Sequence, residues 1–193
     1  MNIMSNNSLL LFPTIGCLIV FFICVYPRFK KPYYGVDTWR ILLITDYLRK
    51  YKRFPKTLSA QYIIQGPFDH PVILSLILSL FSKETVLKYQ FIVSPLVEAF
   101  HALLLFVFTY YITGDVHVAF IAQIIYGLTG MVVIESSQLS SRSFGTLNFT
   151  MALLPLLLYQ ATHNIPYSIV GISFLVVLCY SHRMSIQVVF LFS

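Results

Sequence analysis

Long apolar runs alternate with short polar breaks along most of the chain. Because about 20 residues cross the hydrocarbon core of a bilayer, the pattern predicts five membrane-spanning helices, over residues 9–26, 91–112, 116–134, 147–159 and 167–180. The last two runs are short, so we expect them to extend into their polar flanks. A further apolar run opens at Ile186 and continues to Ser193. We therefore expect the start of a sixth span, and a chain that is the N-terminal part of a longer protein.

Residues 27–70 form the one long hydrophilic stretch, which is too polar to cross a bilayer. Its middle, residues 38–53, has the periodicity of an amphipathic helix. The expected apolar side consists of Ile41, Leu43, Ile44, Tyr47, Leu48 and Tyr51. Together with Trp39, the tyrosines suit a helix lying on the membrane surface; packing against other parts of the protein is the alternative. The apolar run 71–81 is too short to span and predicts an interfacial or re-entrant helix.

Composition and charge support a membrane protein. Apolar residues make up 58% of the chain and charged residues only 10%, against roughly 25% charged residues in soluble domains. This excludes an ordinary soluble enzyme. The stretch 27–70 carries nine basic and three acidic residues and accounts for the net charge of +6. Since this stretch follows an apolar run and has a membrane-surface pattern, we expect anionic lipid headgroups as partners, and no nucleic acid.

Several polar residues are candidates for chemistry in or near the first loop. Asp37 follows the first span and precedes the predicted surface helix, where a carboxylate can act as a general base or bind a divalent cation. Asp is also a preferred helix N-cap, and from composition alone that role is favoured for Asp37. Asp69 and His70 stand between Pro67 and Pro71, where the chain returns to an apolar helix. Asp69 is also a plausible cap for that helix.

Further candidates lie within or beside the later spans. Arg142, between the third and fourth spans, suits bidentate phosphate binding or simple snorkelling at the interface. His182 and Arg183, after the fifth span, suit an anionic headgroup or mark the interface. Glu98 and His101 are three residues apart within the second span, where ionisable groups indicate function or satisfy each other inside a bundle. Glu135 ends the third span.

The layout resembles the N-terminal part of the GT-C superfamily of polytopic glycosyltransferases, such as the dolichyl-phosphate-mannose mannosyltransferases and protein O-mannosyltransferases. The shared features are one span, a long loop with an early acid, a basic amphipathic helix followed by Arg53-Phe54-Pro55, a Gly66-Pro67…His70-Pro71 return, and further spans. The resemblance implies an all-α transmembrane bundle and a donor sugar linked to a polyprenyl phosphate. It implies Asp37 as the catalytic acid, which would deprotonate the acceptor hydroxyl or help to hold a divalent cation. The residues implied for binding the lipid phosphate are Arg40, Asp69, His70, Arg142, His182 and Arg183.

Taken together, the sequence predicts a single multi-pass transmembrane domain over residues 1–193, located in the cell membrane. The predicted function is transfer of a glycosyl group to a lipid, glycan or protein. One alternative is a transporter or an assembly subunit. Another is a polysaccharide polymerase or ligase. The positive-inside rule favours a cytoplasmic first loop, whereas the resemblance implies an external one, which we adopt. In either case the loop 27–70 and the connection 136–146 are expected on the same side.

Overall fold

A computed structural model describes residues 6–55 and 72–181 of the chain. Every regular element in these two ranges is an α-helix, which confirms the predicted all-helical class. The helices are α1 (Asn6–Lys30), α2 (Val36–Tyr51), α3 (Ile73–Ser79), α4 (Lys83–Thr113), α5 (Val116–Leu128), α6 (Gly130–Ser136), α7 (Ser141–Thr162) and α8 (Ile165–Ser181). The predicted sixth span lies outside the described residues.

Three helices, α1, α4 and α7, are long and apolar enough to cross a membrane. As expected, the run 147–159 extends into its flanks, because α7 covers Ser141–Thr162. The span predicted over 116–134 consists of two helices that are long and apolar enough to cross a membrane only if they count together as one bent span. Helix α5 ends at Leu128, Thr129 is extended, and α6 continues at an angle of 57°. Helix α8 has 17 residues and is about 25 Å long, shorter than the ~30 Å hydrocarbon core.

Local hydrogen bonds explain where several helices begin. The Ser82 hydroxyl accepts from the backbone N–H of Thr85 at the start of α4, and the Ser140 hydroxyl accepts from that of Arg142 at the start of α7, both at 3.1 Å. The Asp115 carboxylate accepts from the N–H of His117 at 2.7 Å at the start of α5. These side chains satisfy amide groups that have no partner within the first helical turn.

Helices α1, α4 and α5 pack together around small residues. Val20, Cys24 and Ala102 form one buried cluster between α1 and α4. Gly127 of α5 lies directly against Val20, and a Cβ at this position would overlap the valine side chain. The absent side chain therefore allows α5 to approach α1 closely. Helix α8 packs on α7 in a similar way, with Gly171 against Leu156.

Helix α2 packs on α3, on the start of α4 and on the chain that precedes α7. The shared buried cluster contains Ile41, Leu42, Leu74, Leu78, Val86 and Leu139. The predicted apolar side of α2 is therefore partly wrong. Leu42 is buried, whereas Leu43 and Tyr51 are exposed by 40% and 47%. Packing against neighbouring helices selects one face of α2, and a second apolar face, which includes Trp39, remains exposed.

Candidate functional site

The N-terminal end of α2 docks on the connection between α6 and α7. The Thr38 side chain is fully buried there, and its hydroxyl oxygen accepts a hydrogen bond from the backbone N–H of Leu139 at 2.9 Å. Gly35, which precedes α2, lies against the side chain of Gln138 with a φ of 90°. A side chain at position 35 would occupy the volume of Gln138, so this approach requires glycine.

The same connection is held to α4 by Ser94. Its hydroxyl donates to the carbonyl of Gln138 at 3.0 Å and accepts from the backbone N–H of Ser140 at 3.3 Å. Residues 137–140 are therefore fixed between α2 and α4. The described part of the first loop and the α6–α7 connection lie at the same end of the bundle, and their location on the same side of a membrane stays a prediction. The external location of this end stays a prediction.

Two arginine–carboxylate pairs lie at this end of the bundle. Arg40 pairs with Asp37 one turn earlier in α2. Arg142, in the first turn of α7, donates to Glu135 of α6 at 2.6 Å. The Thr38–Leu139 and Ser94–Gln138 hydrogen bonds hold the two pairs at the same end of the bundle. We call Asp37, Arg40, Glu135 and Arg142 the charged patch.

The N-cap role favoured for Asp37 from composition is wrong. The N-cap position of α2 is Gly35, and no side chain caps the helix there. Asp37 lies in the first turn of α2, where a negative charge is favourable near the helix N-terminus. Its carboxylate accepts from the Arg40 guanidinium instead. The side chain is 21% exposed, so a substrate can reach the carboxylate.

A cavity of about 130 Å³ extends from the charged patch into the bundle. Its lining is formed by Glu98, His101, Tyr126, Met131, Val132, Glu135, Arg142, Ser143 and Thr146. Arg142 is half exposed, whereas the Glu135 side chain is 12% exposed. One oxygen of Glu135, Oε2, is buried and has no hydrogen-bond partner within the described residues. The cavity therefore has an exposed cation, Arg142, at its mouth. It also has a buried oxygen, Glu135 Oε2, that can accept a hydrogen bond.

Glu98 and His101 lie at the inner end of this cavity and do not bond each other directly. The Tyr126 hydroxyl of α5 bonds both the Glu98 carboxylate and His101 Nδ1, the latter at 2.7 Å. His101 Nε2 is 2.7 Å from the Thr150 hydroxyl of α7. The sequence indicated the two ionisable residues but not their partners, because a tyrosine or threonine within an apolar run has no distinctive pattern.

The remaining predicted site residues, Asp69, His70, His182 and Arg183, lie outside the described residues. Within residues 6–55 and 72–181, no group of three or more His, Cys, Asp or Glu side chains is arranged to hold a metal ion. Asp37 and Glu135 are each paired with an arginine. The described part of the site therefore does not fit a divalent cation, and we derive no step through one.

Comparison with protein-family models, with curated proteins and with solved structures finds no match to this chain. Its function is therefore inferred from its residues and their geometry.

Proposed function

We propose that this protein is a membrane glycosyltransferase that takes its sugar from a polyprenyl-phosphate donor and transfers it to a lipid, glycan or protein acceptor. The observation that carries the proposal is the hydrogen bond between Thr38 and Leu139, because it holds the start of α2, which carries Asp37, against the connection that leads into α7 and Arg142. The layout shared with the GT-C superfamily supports the same assignment. The three candidate spans support a location in a membrane.

The charged patch contains the groups that glycosyl transfer from a lipid phosphate requires. The acceptor oxygen bonds to the anomeric carbon, the bond from that carbon to the phosphate oxygen breaks, and Asp37 takes the acceptor proton. The polyprenyl phosphate leaves with its additional negative charge. Arg40 and Arg142 can each bind phosphate oxygens bidentately, and such fixed charges stabilise the transition state where negative charge develops.

The two ion pairs suggest how binding of the donor releases Asp37 from Arg40, so that Asp37 can act as the base. In the structure Arg40 and Arg142 are each paired with a carboxylate. A bound donor phosphate competes with the carboxylates for both guanidinium groups, because its oxygens can accept bidentate N–H bonds and it gains a second negative charge as the sugar leaves. Transfer of Arg40 to the phosphate frees the Asp37 carboxylate for the acceptor hydroxyl. The donor therefore has to bind before the acceptor proton can be removed.

The exposed face of α2 supports contact with membrane lipids. Val36, Trp39, Leu43 and Tyr51 are exposed apolar or aromatic residues along this helix. Lys50 and Lys52 stand beside them in the sequence and add positive charge. Aromatic residues with flanking cations are typical of helices at a bilayer surface that contains anionic lipids. Such a position keeps the charged patch near the headgroup of a lipid-linked donor.

A transporter is the second candidate, and one observation favours it. Glu98 and His101 are joined through Tyr126 and linked to Thr150, so a polar network crosses α4, α5 and α7 inside the bundle. Ionisable groups within spans often mark ion or proton pathways. A polysaccharide polymerase or ligase would share the layout of the charged patch with a glycosyltransferase and differ only in its acceptor.

The test compares two aspartates of α2 that share an arginine partner three residues later, although Asp46 also pairs with Lys83 at 3.2 Å. Asp37 pairs with Arg40, and Asp46 pairs with Arg49, each with the arginine three residues later. The full-length protein and its Asp37→Asn and Asp46→Asn variants are purified, reconstituted in vesicles and supplied with a panel of radiolabelled polyprenyl-phosphate hexoses and pentoses. Transfer to endogenous acceptor extract is measured.

We expect Asp37→Asn to lower kcat by about 100-fold or more, as the loss of a general base does, while Asp46→Asn keeps wild-type turnover. Equal turnover of the Asp37→Asn variant and the wild type would exclude Asp37 as the base. Absence of transfer by the wild type with every donor in the panel, together with proton-dependent uptake of a solute, would favour the transporter.

A further inference from the structure

Four side chains form a continuous hydrogen-bonded chain through the bundle. It runs from Thr150 of α7 to His101 of α4, then to Tyr126 of α5 and to Glu98 of α4. Glu98 and His101 are only 2% and 6% exposed. The Glu98 end faces the cavity that leads to Glu135 and Arg142. We call Thr150, His101, Tyr126 and Glu98 the polar chain.

The polar chain has two complete arrangements of its hydrogens. With Glu98 ionised, the Tyr126 hydroxyl donates to Glu98, His101 donates from Nδ1 to the tyrosine oxygen, and Thr150 donates to Nε2. With Glu98 protonated, every bond reverses: Glu98 donates to Tyr126, the tyrosine donates to Nδ1, and Nε2–H donates to Thr150. In both arrangements each hydrogen bond has one donor and one acceptor, and the histidine is neutral.

We propose that the polar chain is a proton relay that loads and unloads Glu98. A proton that reaches the Thr150 hydroxyl displaces the threonine proton to Nε2, the Nδ1 proton passes to Tyr126, and the tyrosine proton passes to Glu98. Each intermediate group receives one proton and gives one away, so the chain gains a single proton, which resides on Glu98. The histidine changes from its Nδ1–H to its Nε2–H tautomer.

The cavity provides the exit of the relay. At about 130 Å³ it has room for water, since a water molecule occupies about 30 Å³ in the liquid. The polar groups that face Glu98 are Tyr126 from α5, Glu135 from α6, Ser143 from α7 and Cys24 from α1, with Arg142 at the mouth. Glu135 is the next carboxylate on this route. Its unpartnered Oε2 can accept a hydrogen bond from a water molecule in the cavity.

This inference does not depend on glycosyl transfer. In a transferase the reverse passage, from Glu98 to Thr150, would carry protons away from the charged patch, and in a transporter the relay would couple proton movement to the solute. It differs from a purely structural network in one measurable respect. A structural network keeps one arrangement of its hydrogens, whereas the relay changes the tautomer of His101 whenever Glu98 changes its protonation state.

The test uses the full-length protein in lipid nanodiscs and the proton itself as the probe. Nitrogen-15 NMR of labelled histidine reports which ring nitrogen of His101 carries the proton, with assignment by the His101→Gln variant. Infrared difference spectra report the C=O stretching band of a protonated carboxyl, with assignment by Glu98→Gln. On acidification we expect the Glu98 band to appear together with a change of the His101 proton from Nδ1 to Nε2.

Two variants test the passage of the proton. Tyr126→Phe removes the hydroxyl that links Glu98 to His101, and Thr150→Val removes the entry hydroxyl. We expect either change to slow the protonation of Glu98 after a pH jump at least tenfold, while Tyr111→Phe, an exposed tyrosine of α4, leaves it unchanged. If His101 keeps one tautomer while Glu98 titrates, if Glu98 does not titrate in the folded protein, or if the folded variants retain wild-type kinetics, the relay is excluded.

Discussion

The hydroxyl of Thr38 bridges the first loop and the α6–α7 connection, because its oxygen accepts from the N–H of Leu139 at 2.9 Å while its hydrogen is donated to the carbonyl of Tyr34 at 2.7 Å. The two bonded positions, 38 and 139, are 101 residues apart in the sequence. The fully buried hydroxyl thus satisfies two backbone groups at once. It holds the start of α2, and with it Asp37, against the connection between α6 and α7.

Replacing Thr38 by valine should lower the stability of the protein by removing the hydrogen bond to Leu139, while the side chain keeps its volume. The valine keeps the volume of threonine but leaves the buried N–H of Leu139 without a partner, which costs about 1–3 kcal/mol. Thr38→Ser keeps the hydroxyl and serves as the matched variant. Thermal unfolding in detergent should show a clearly lower Tm for Thr38→Val than for Thr38→Ser. Equal melting of the two variants would mean that the hydrogen bond contributes nothing to stability.

Gly35 should tolerate substitution far less than Gly114. Both have a positive φ, of 90° and 66°. A Cβ at position 35 would also overlap the side chain of Gln138, whereas nothing lies within 4 Å of a Cβ at position 114. Backbone strain of this kind costs about 1–3 kcal/mol, and the overlap adds to it at position 35 alone.

The measurement is the free energy of unfolding of Gly35→Ala and Gly114→Ala, each alone and in combination with Gln138→Ala. We expect Gln138→Ala to recover part of the loss caused by Gly35→Ala and none of the loss caused by Gly114→Ala. Independent effects of Gly35→Ala and Gln138→Ala would contradict the close contact between these two residues.

Much of the helical framework could be predicted because it depends on local patterns. The long apolar runs 9–26 and 91–112 located α1 and α4, and the shorter run 147–159 with its polar flanks located α7. The bend between α5 and α6 was not predicted, since Thr129 and Gly130 are weak helix formers but do not by themselves exclude a continuous helix. The exposed second face of α2 was missed because packing on α3 selects Leu42 over Leu43.

The candidate site was predictable only in part. Asp37, Arg142 and Glu135 were recognisable as charges at the edges of apolar runs. Their association depends on Thr38 and Ser94, two ordinary hydroxyl residues whose long-range hydrogen bonds have no sequence pattern. The pairing of Asp37 with Arg40 was also missed, since an acid near a helix start is more often a cap. The periodicity of a sequence identifies the apolar face of a helix, but it does not show which helix ends and connections contact each other in the fold.

Trp39 provides a direct probe of the lipid contact proposed for α2. It is the one tryptophan of the sequence, is 55% exposed and stacks on Tyr33. In vesicles with brominated phospholipids, its fluorescence should be quenched strongly, because a residue in the interface lies within reach of the acyl chains. Strong quenching by aqueous iodide without quenching by the brominated lipids would show that this face of α2 is directed to water.

The contact between α2 and the α6–α7 connection is the basis of the whole account, and disulfide formation tests it most directly. In a full-length background that lacks Cys17, Cys24 and Cys179, Thr38→Cys is combined with Leu139→Cys. A protease site is inserted at Gly114, where the turn between α4 and α5 has open space around it. After cleavage in membranes, the two fragments stay joined on a non-reducing gel only if the disulfide has formed.

The control pair combines Thr38→Cys with Thr162→Cys. Position 162 ends α7, 21 residues beyond its start at Ser141, and lies about 30 Å along the helix from the contact. We predict that mild oxidation joins the fragments of the 38–139 pair almost completely and leaves those of the 38–162 pair separate. Fragments of the 38–139 pair that separate as readily as those of the control would contradict the contact, and with it the common site of Asp37 and Arg142.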